Sequence, residues 1–163
     1  MVAQVKQQFG RIDVLVNNAG WDKAGPFLDS NEADWERIIA IKLYGVLNTC
    51  KAVLPVMVEQ GAGAVVNLGS DAGRVGSSSE AVYSAAKGGV IAFTKAAARE
   101  MARHHITVNC VCPGPTDTPL FASIGGDNPQ LREALIRAIP FRRLAEPQDV
   151  ANAVAFLASK LAI

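Results

Sequence analysis

Two hydrophobic rhythms alternate along the chain. Ile12 to Val16, Ala64 to Leu68 and Ile106 to Val111 are short runs dominated by apolar, mostly β-branched residues, the pattern of strands buried on both faces of a parallel sheet. Around them the apolar positions recur at helical spacing. Val2 to Phe9 reads as two helical turns ended by Gly10, and Trp35, Ile38, Ile39, Leu43, Val46, Leu47 and Cys50 mark one side of a long helix from Glu32 to Gln60. Asn31 or Ser30 would cap that helix, and Pro55, which lacks an N–H, is expected to bend its last third. Further helices are predicted from Glu80 to about Arg103, from Pro129 to Ala138, and from Pro147 to about Ser159. Strands alternating with helices predict an α/β fold, a doubly wound (Rossmann-like) parallel sheet.

Composition narrows the partners. With 163 residues, half of them hydrophobic, the chain can bury a substantial core. A net charge of +1 without a basic block suggests neither nucleic acid nor an anionic membrane surface. The apolar runs are broken by Gly, Pro or charge, so no membrane span or signal peptide is expected, and a cytoplasmic protein is the default. Cys50, Cys110 and Cys112 are odd in number, and no Cys or His group has zinc-site spacing. They read as reduced, buried thiols, and no metal is expected.

The chemistry concentrates between Ser70 and Lys87. Tyr83 and Lys87 stand at i and i+4 on a predicted helix, which puts phenol and ammonium one turn apart on one face. A phenol with an ordinary pKa of about 10 is a poor base near neutrality unless a nearby positive charge favours the phenolate, and Lys87 can supply it. If the loop from Gly69 to Ser79 folds back, the Ser70 hydroxyl meets the Tyr83 oxygen and orients a substrate oxygen there. Other chemistries fit poorly. His104 and His105 lie 17 and 18 residues beyond Lys87, roughly 25 Å along a helix, and read as helix-end residues. Leu68 stands where a nucleophile elbow needs its first glycine, which argues against a serine hydrolase.

Tyr83-x-x-x-Lys87, Ser70 at 13 positions before the tyrosine (83 − 70), Asn17-Asn18-Ala19-Gly20 after the first strand, and Pro113-Gly114 with Thr118 after the third form one constellation. Together they resemble the short-chain dehydrogenase/reductases, over a stretch from residue 3 or so to about 160. The resemblance implies Ser70, Tyr83 and Lys87 as catalytic residues. It implies Asn18, Ala19, Gly20, Tyr83, Lys87, Pro113, Gly114, Thr116 and Thr118 as the cofactor contacts, for NAD or NADP, with NAD favoured. The implied substrate is a secondary alcohol or ketone, with a cyclic 2-hydroxyacyl-CoA and a 3-oxoacyl thioester as candidates. It also implies a mobile substrate lid from Leu120 to Ile139, hinged at Gly125-Gly126, and a homo-oligomer packed through the small-residue surface of Ala85, Ala86, Gly88, Gly89, Ala92, Ala96 and Ala97.

Two departures stand against the pattern. Where the family carries a catalytic asparagine in V-N-x-x-G, this chain reads Ile41-Lys42-Leu43-Tyr44-Gly45; Lys42 is either a tolerated change or a second ammonium that repels Lys87. The family's glycine-rich phosphate turn, T-G-x-x-x-G-x-G, and its last strand are missing, so residues 1–163 read as an incomplete NAD(P)-binding domain, the middle and catalytic part. Weak dinucleotide binding and an exposed apolar edge at Ile12 to Val16 are the expected consequences. The alternative is a catalytically inactive half-domain that serves oligomerisation or binding.

Overall fold

Three parallel strands form a single sheet in the order β1 (Val14–Asn17), β2 (Gly63–Leu68), β3 (Ile106–Val111) in the computed structural model, which describes residues 1–162. Val14 pairs with Ala64 and Asn17 with Asn67 across the first junction, and Leu68 with Val111 across the second, so all three strands end along one edge. Helices α1 (Val2–Phe9), α2 (Glu32–Ile39), α3 (Gly45–Gln60), α4 (Ala72–Val75), α5 (Ala81–Met101), α6 (Pro119–Phe121), α7 (Pro129–Ala138) and α8 (Pro147–Leu157) complete the order. The expected α/β parallel sheet is thus what the chain forms.

One side of the sheet holds the main core. Val46, Cys50, Val53 and Met57 from α3 and Val90 and Ala97 from α5 meet Val65, Ile106 and Val108. Successive strand residues face opposite ways, and Val66, on the other side, is also fully buried; α8 contacts β2 and β3. The outer strand is less covered: Val14 and Val16 of β1 are 41% and 42% exposed.

Local details depart from the periodic reading for identifiable reasons. The first strand begins at Val14, not Ile12, because the Gln60 side chain takes over the Ile12 backbone: Ile12 N donates to Gln60 Oε1 at 2.8 Å and Gln60 Nε2 to Ile12 O at 2.8 Å. The helix from Glu32 to Gln60 starts as expected, with the Asn31 side chain accepting from Asp34 N at 3.0 Å. Its α pattern breaks at a π-helical segment, Ala40–Tyr44, which carries Lys42; Pro55 sits inside α3 without interrupting it. By length and composition this 29-residue stretch could cross a membrane. Its buried stripe instead packs on β1 and β2, as the core helix of a globular domain does. The helix through Lys87 ends at Met101, followed by a short 3₁₀ turn and by His105 in the left-handed region (φ 56), whose N–H donates to Ala102 O at 3.0 Å.

Beneath the strand ends runs a polar ladder. Asn17 Nδ2 donates to Asn67 Oδ1 at 2.8 Å, Asn67 Nδ2 donates to Thr94 Oγ1 at 2.9 Å, and Thr49 Oγ1 donates to Asn17 Oδ1 at 2.6 Å. It joins α3, β1, β2 and α5, and Asn67 has no solvent exposure. Asn67→Leu leaves the half-buried Asn17 amide with only the Cys50 sulfur, 3.4 Å away, and leaves Thr94 Oγ1 without its donor, so unfolding in urea should lose about 1–3 kcal/mol of stability. The midpoint should fall with the slope unchanged; an unaltered midpoint would show that the ladder contributes nothing.

Candidate active site

Glycines let the segment after β2 fold back over α5. A Cβ on Gly69 would lie 2.8 Å from the Sγ atoms of both Cys110 and Cys112, and one on Gly73 would lie 2.7 Å from the Lys87 carbonyl carbon. Backbone bonds fix the turn against the loop after β3: Gly69 N donates to Val111 O at 2.7 Å and Asp71 N to Pro113 O at 2.9 Å. Helix α4 then packs on α5, and Ser70 comes to lie beside Tyr83. The Ser70 Oγ accepts from Ala72 N at 3.2 Å, which leaves its own proton free to donate.

Ser70 and Tyr83 share a cavity of about 840 Å³ with Pro113, Gly114, Thr116 and Thr118. Apolar side chains from the segment beyond, Leu120, Phe121, Ile124, Leu131 and Leu135, close its far wall. A Cβ on Gly114 would meet nothing within 4 Å, so bare backbone faces open space there. Thr116 Oγ1 donates to Gly114 O at 2.9 Å, and Thr118 Oγ1 accepts from Phe121 N at 3.1 Å as the cap of α6. Lys87 is not on this wall. It is buried behind Tyr83, its Nζ donating to the Leu68 carbonyl at the end of β2 and lying 5.8 Å from the centre of the phenol ring. Asn18, Ala19 and Gly20 are exposed at the end of β1, apart from the cavity; Gly20 lies against Lys42, whose Nζ would be 2.2 Å from a Cβ at that position.

Burial dominates the acid–base properties. It raises the Tyr83 pKa, against the Ser70 hydroxyl, which works the other way, while the nearby Glu80 and Asp22 carboxyls add to the rise. Near neutrality the phenol therefore holds its proton. Burial also pulls Lys87 down to about 8; the neighbouring Lys42 charge adds to this, and Cys110, Cys112 and Asp22 oppose it. Lys42 is itself buried, with Nζ 4.9 Å from the Tyr83 ring centre, nearer than that of Lys87. Asp22, also buried, has no hydrogen-bond partner on either carboxylate oxygen, and burial, reinforced by Glu80, raises it to about 6. The periodic reading does not single out Asp22: it stands 20 positions from Lys42 in sequence, in a loop with no local signature. Among the described residues no group of three or more His, Cys, Asp or Glu could hold a metal ion.

Known proteins share this architecture. A family profile described as enoyl-(acyl carrier protein) reductase matches residues 1–163. A 3-oxoacyl-[acyl-carrier-protein] reductase of Staphylococcus epidermidis is 43% identical over 159 residues, which are 98% of this chain and 64% of that protein. Nodulation protein G of Azospirillum brasilense is 39% identical over 162 residues, 99% of this chain and 65% of its own. Among solved structures, a levodione reductase superposes with a TM-score of 0.93 at 36% identity, covering 99% of this chain and 65% of that one. An NAD⁺-bound xylitol dehydrogenase gives a TM-score of 0.91 at 32% identity, covering 99% and 67%. The chain spans just under two thirds of the length of the curated relatives it matches. With the profile matching from end to end, the chain belongs to the short-chain dehydrogenase/reductase family.

Proposed function

We propose that this chain is the catalytic part of an NAD(P)-dependent oxidoreductase that interconverts a secondary alcohol and a ketone. The observation that carries the reading is the convergence of Ser70 and Tyr83 on one cavity, with Lys87 directly behind the phenol. In the reduction direction Tyr83, protonated at rest, gives its proton to the substrate oxygen, and Ser70 donates a hydrogen bond that orients the same oxygen. In the oxidation direction the phenolate takes the alcohol proton. Lys87, whose pKa of about 8 lies near the working pH, favours that phenolate when charged and can pass a proton onward when it is not.

The cavity suits the nicotinamide end of the cofactor. Bare Gly114 backbone and the Thr116 and Thr118 hydroxyls offer the polar contacts such a group needs, and Pro113 stiffens the loop that presents them. When bound, NAD(P) supplies or accepts the hydride. Lys87, Tyr83, Asn18, Ala19 and Gly20 are the proposed contacts of its ribose side. NAD is favoured by the resemblance and by the NAD⁺-bound neighbour. On this reading residues 1–163 carry the catalytic part of an NAD(P)-binding domain.

An acyl thioester is the favoured substrate class. The far wall of the cavity is apolar, and relatives bear the name 3-oxoacyl-[acyl-carrier-protein] reductase. Asn17 to Asp22, Ser70 to Ser78, Cys112 to Thr118 and Ala138 to Phe141 also resemble 2-hydroxycyclohexanecarboxyl-CoA dehydrogenase, which makes a cyclic 2-hydroxyacyl-CoA the finer proposal. A second reading, a non-catalytic pairing module, is favoured by Ala85, Ala92 and Ala96, which stay exposed on α5. Titration against the fluorescence of a reduced nicotinamide cofactor separates the two, since a pairing module alone gives no saturable signal.

Tyr83→Phe removes the proton-transfer group and leaves the packing intact, so turnover should fall at least about a hundredfold. A folded variant with near-normal rates would end the assignment. Gly73→Ala forces the α4 segment off α5 and should move Ser70 away from Tyr83. It is expected to lower kcat about tenfold or more with little change in cofactor affinity; unchanged kcat would show that the close approach at Gly73 does not position the serine.

Lys87 also leaves a signature in stability. Its folded pKa of about 8 lies below the ordinary 10.5, so between these values the unfolded chain holds more protons and stability rises with pH. Lys87→Met should therefore gain roughly 3 kcal/mol relative to the parent below pH 8 (10.5 − 8 = 2.5 units at about 1.36 kcal/mol each), an advantage that fades by pH 10.5. Urea unfolding at several pH values reads it; a difference constant with pH would show that Lys87 is not depressed.

A further inference from the structure

Tyr83 sits among more buried positive charge than negative. Among the described residues the buried charged side chains are Asp22, Lys42 and Lys87, one carboxylate against two ammonium groups. All three gather at the Tyr83 ring: the two Nζ atoms lie 4.9 Å and 5.8 Å from its centre, and Asp22 lines a small cleft together with Tyr83 and Glu80. Lys87 spends its ammonium on the Leu68 carbonyl, whereas among the described residues neither Asp22 carboxylate oxygen has a hydrogen-bonding partner. An unpaired buried charge is costly, and two of opposite sign lower each other's cost. The π-helical segment at Ala40–Tyr44 and the missing side chain at Gly20 are what admit the Lys42 head at this depth.

We propose that Asp22 and Lys42 form a buried charge pair that sets the ionisation of Tyr83, Lys42 being the cation resident over the phenol ring and Asp22 the counter-charge that keeps it there. With Asp22 ionised and both lysines charged, the three buried side chains carry one surplus positive charge, which favours the phenolate, and the partly exposed Glu80 carboxyl opposes it. Lys42 is then a positioning residue, acting through Tyr83. The other groups facing the phenol are Ser70 and Glu80, and Lys87 also faces Cys110 and Cys112. Burial lowers the Lys42 pKa as well, with Asp22 and Glu80 working against it, while Lys42 adds to the lowering of Lys87.

This deepens the reading above and rests on Tyr83 as the proton-transfer group, but its test needs neither cofactor nor substrate. The chain has two tyrosines, and Tyr44 is exposed, so Tyr44→Phe leaves Tyr83 as the sole phenol. Its ionisation is followed by ultraviolet absorbance after a stopped-flow pH jump, before alkaline unfolding sets in. In this background Lys42→Met should raise the midpoint by about one pH unit or more, a tenfold loss of phenolate at fixed pH. Lys42→Arg should restore it, and Asp22→Asn should shift it downward. A midpoint unmoved by Lys42→Met, or moved upward by Asp22→Asn, overturns the pair. Deleting a buried charge can unfold the chain, so carbon-13 NMR of the lysine ε-carbons in the unsubstituted protein gives a second reading. Lys42, assigned through Lys42→Arg, should still show the ammonium shift where Lys87 has become the amine, and the reverse order overturns the proposal. Turnover of Tyr83→Phe is measured apart from both, so a failure of the charge pair is distinct from a failure of the catalytic reading.

Discussion

Burial of the Lys87 ammonium against the end of β2 is the constraint around which this end of the sheet is built. A cation at that depth needs an acceptor, and the Leu68 carbonyl provides one because β2 stops there and has no further ladder bond to make. For the strand to stop and the chain to turn, Gly69 must pass two thiol sulfurs at a distance no side chain tolerates, and Gly73 must lie on the Lys87 backbone. The same approach carries Ser70 to Tyr83. Serine, tyrosine and lysine are thus held by one piece of backbone packing, and loosening any part of it disturbs all three.

That packing also explains why the phenol holds its proton. Excluding water from Tyr83 raises its pKa above the ordinary 10, and excluding water from Lys87 lowers that amine from 10.5 to about 8, so the same burial moves the two groups apart: the amine gives up its proton before the phenol does. The polar ladder of Asn17, Asn67 and Thr94 lies directly beneath and keeps the strand ends in register, so this tuning depends on residues that touch neither cavity nor phenol.

Much of this was legible in the residues themselves. Apolar runs marked the three strands, and helical spacing marked α3, α5, α7 and α8, because burial on one or both faces leaves a period that survives local irregularity. Tyr83, Lys87 and Ser70 could be paired by spacing, since two share a helix face and the third follows a strand. What could not be read depends on contacts between distant segments. Gln60 replaces ladder partners at Ile12, the π-helical segment leaves no trace in periodicity, and Asp22 has meaning only beside Lys42 and Glu80. Asn18, Ala19 and Gly20 follow a strand as a cofactor loop should, yet they lie outside the cavity that Ser70 and Tyr83 line.

The two halves of that cavity are built on different principles. The proton-handling half hangs on strand ends and glycine contacts that admit no change in side-chain volume. The apolar half comes from the segment holding α6 and α7, which begins beyond a firm junction: Asp117 N donates to Ala145 O at 2.8 Å and Ala145 N to Pro115 O at 3.0 Å. Past that junction the backbone includes Gly125 at φ 111, while the Arg132–Asp117 ion pair and the Asn128 cap of α7 are exposed to solvent. An exposed ion pair contributes little, so this segment is held less firmly than the strand ends that carry Ser70 and Tyr83. The half of the cavity that holds Ser70 and Tyr83 and the half built from α6 and α7 thus rest on different contacts, the first on close backbone packing and the second on a solvent-exposed ion pair and cap.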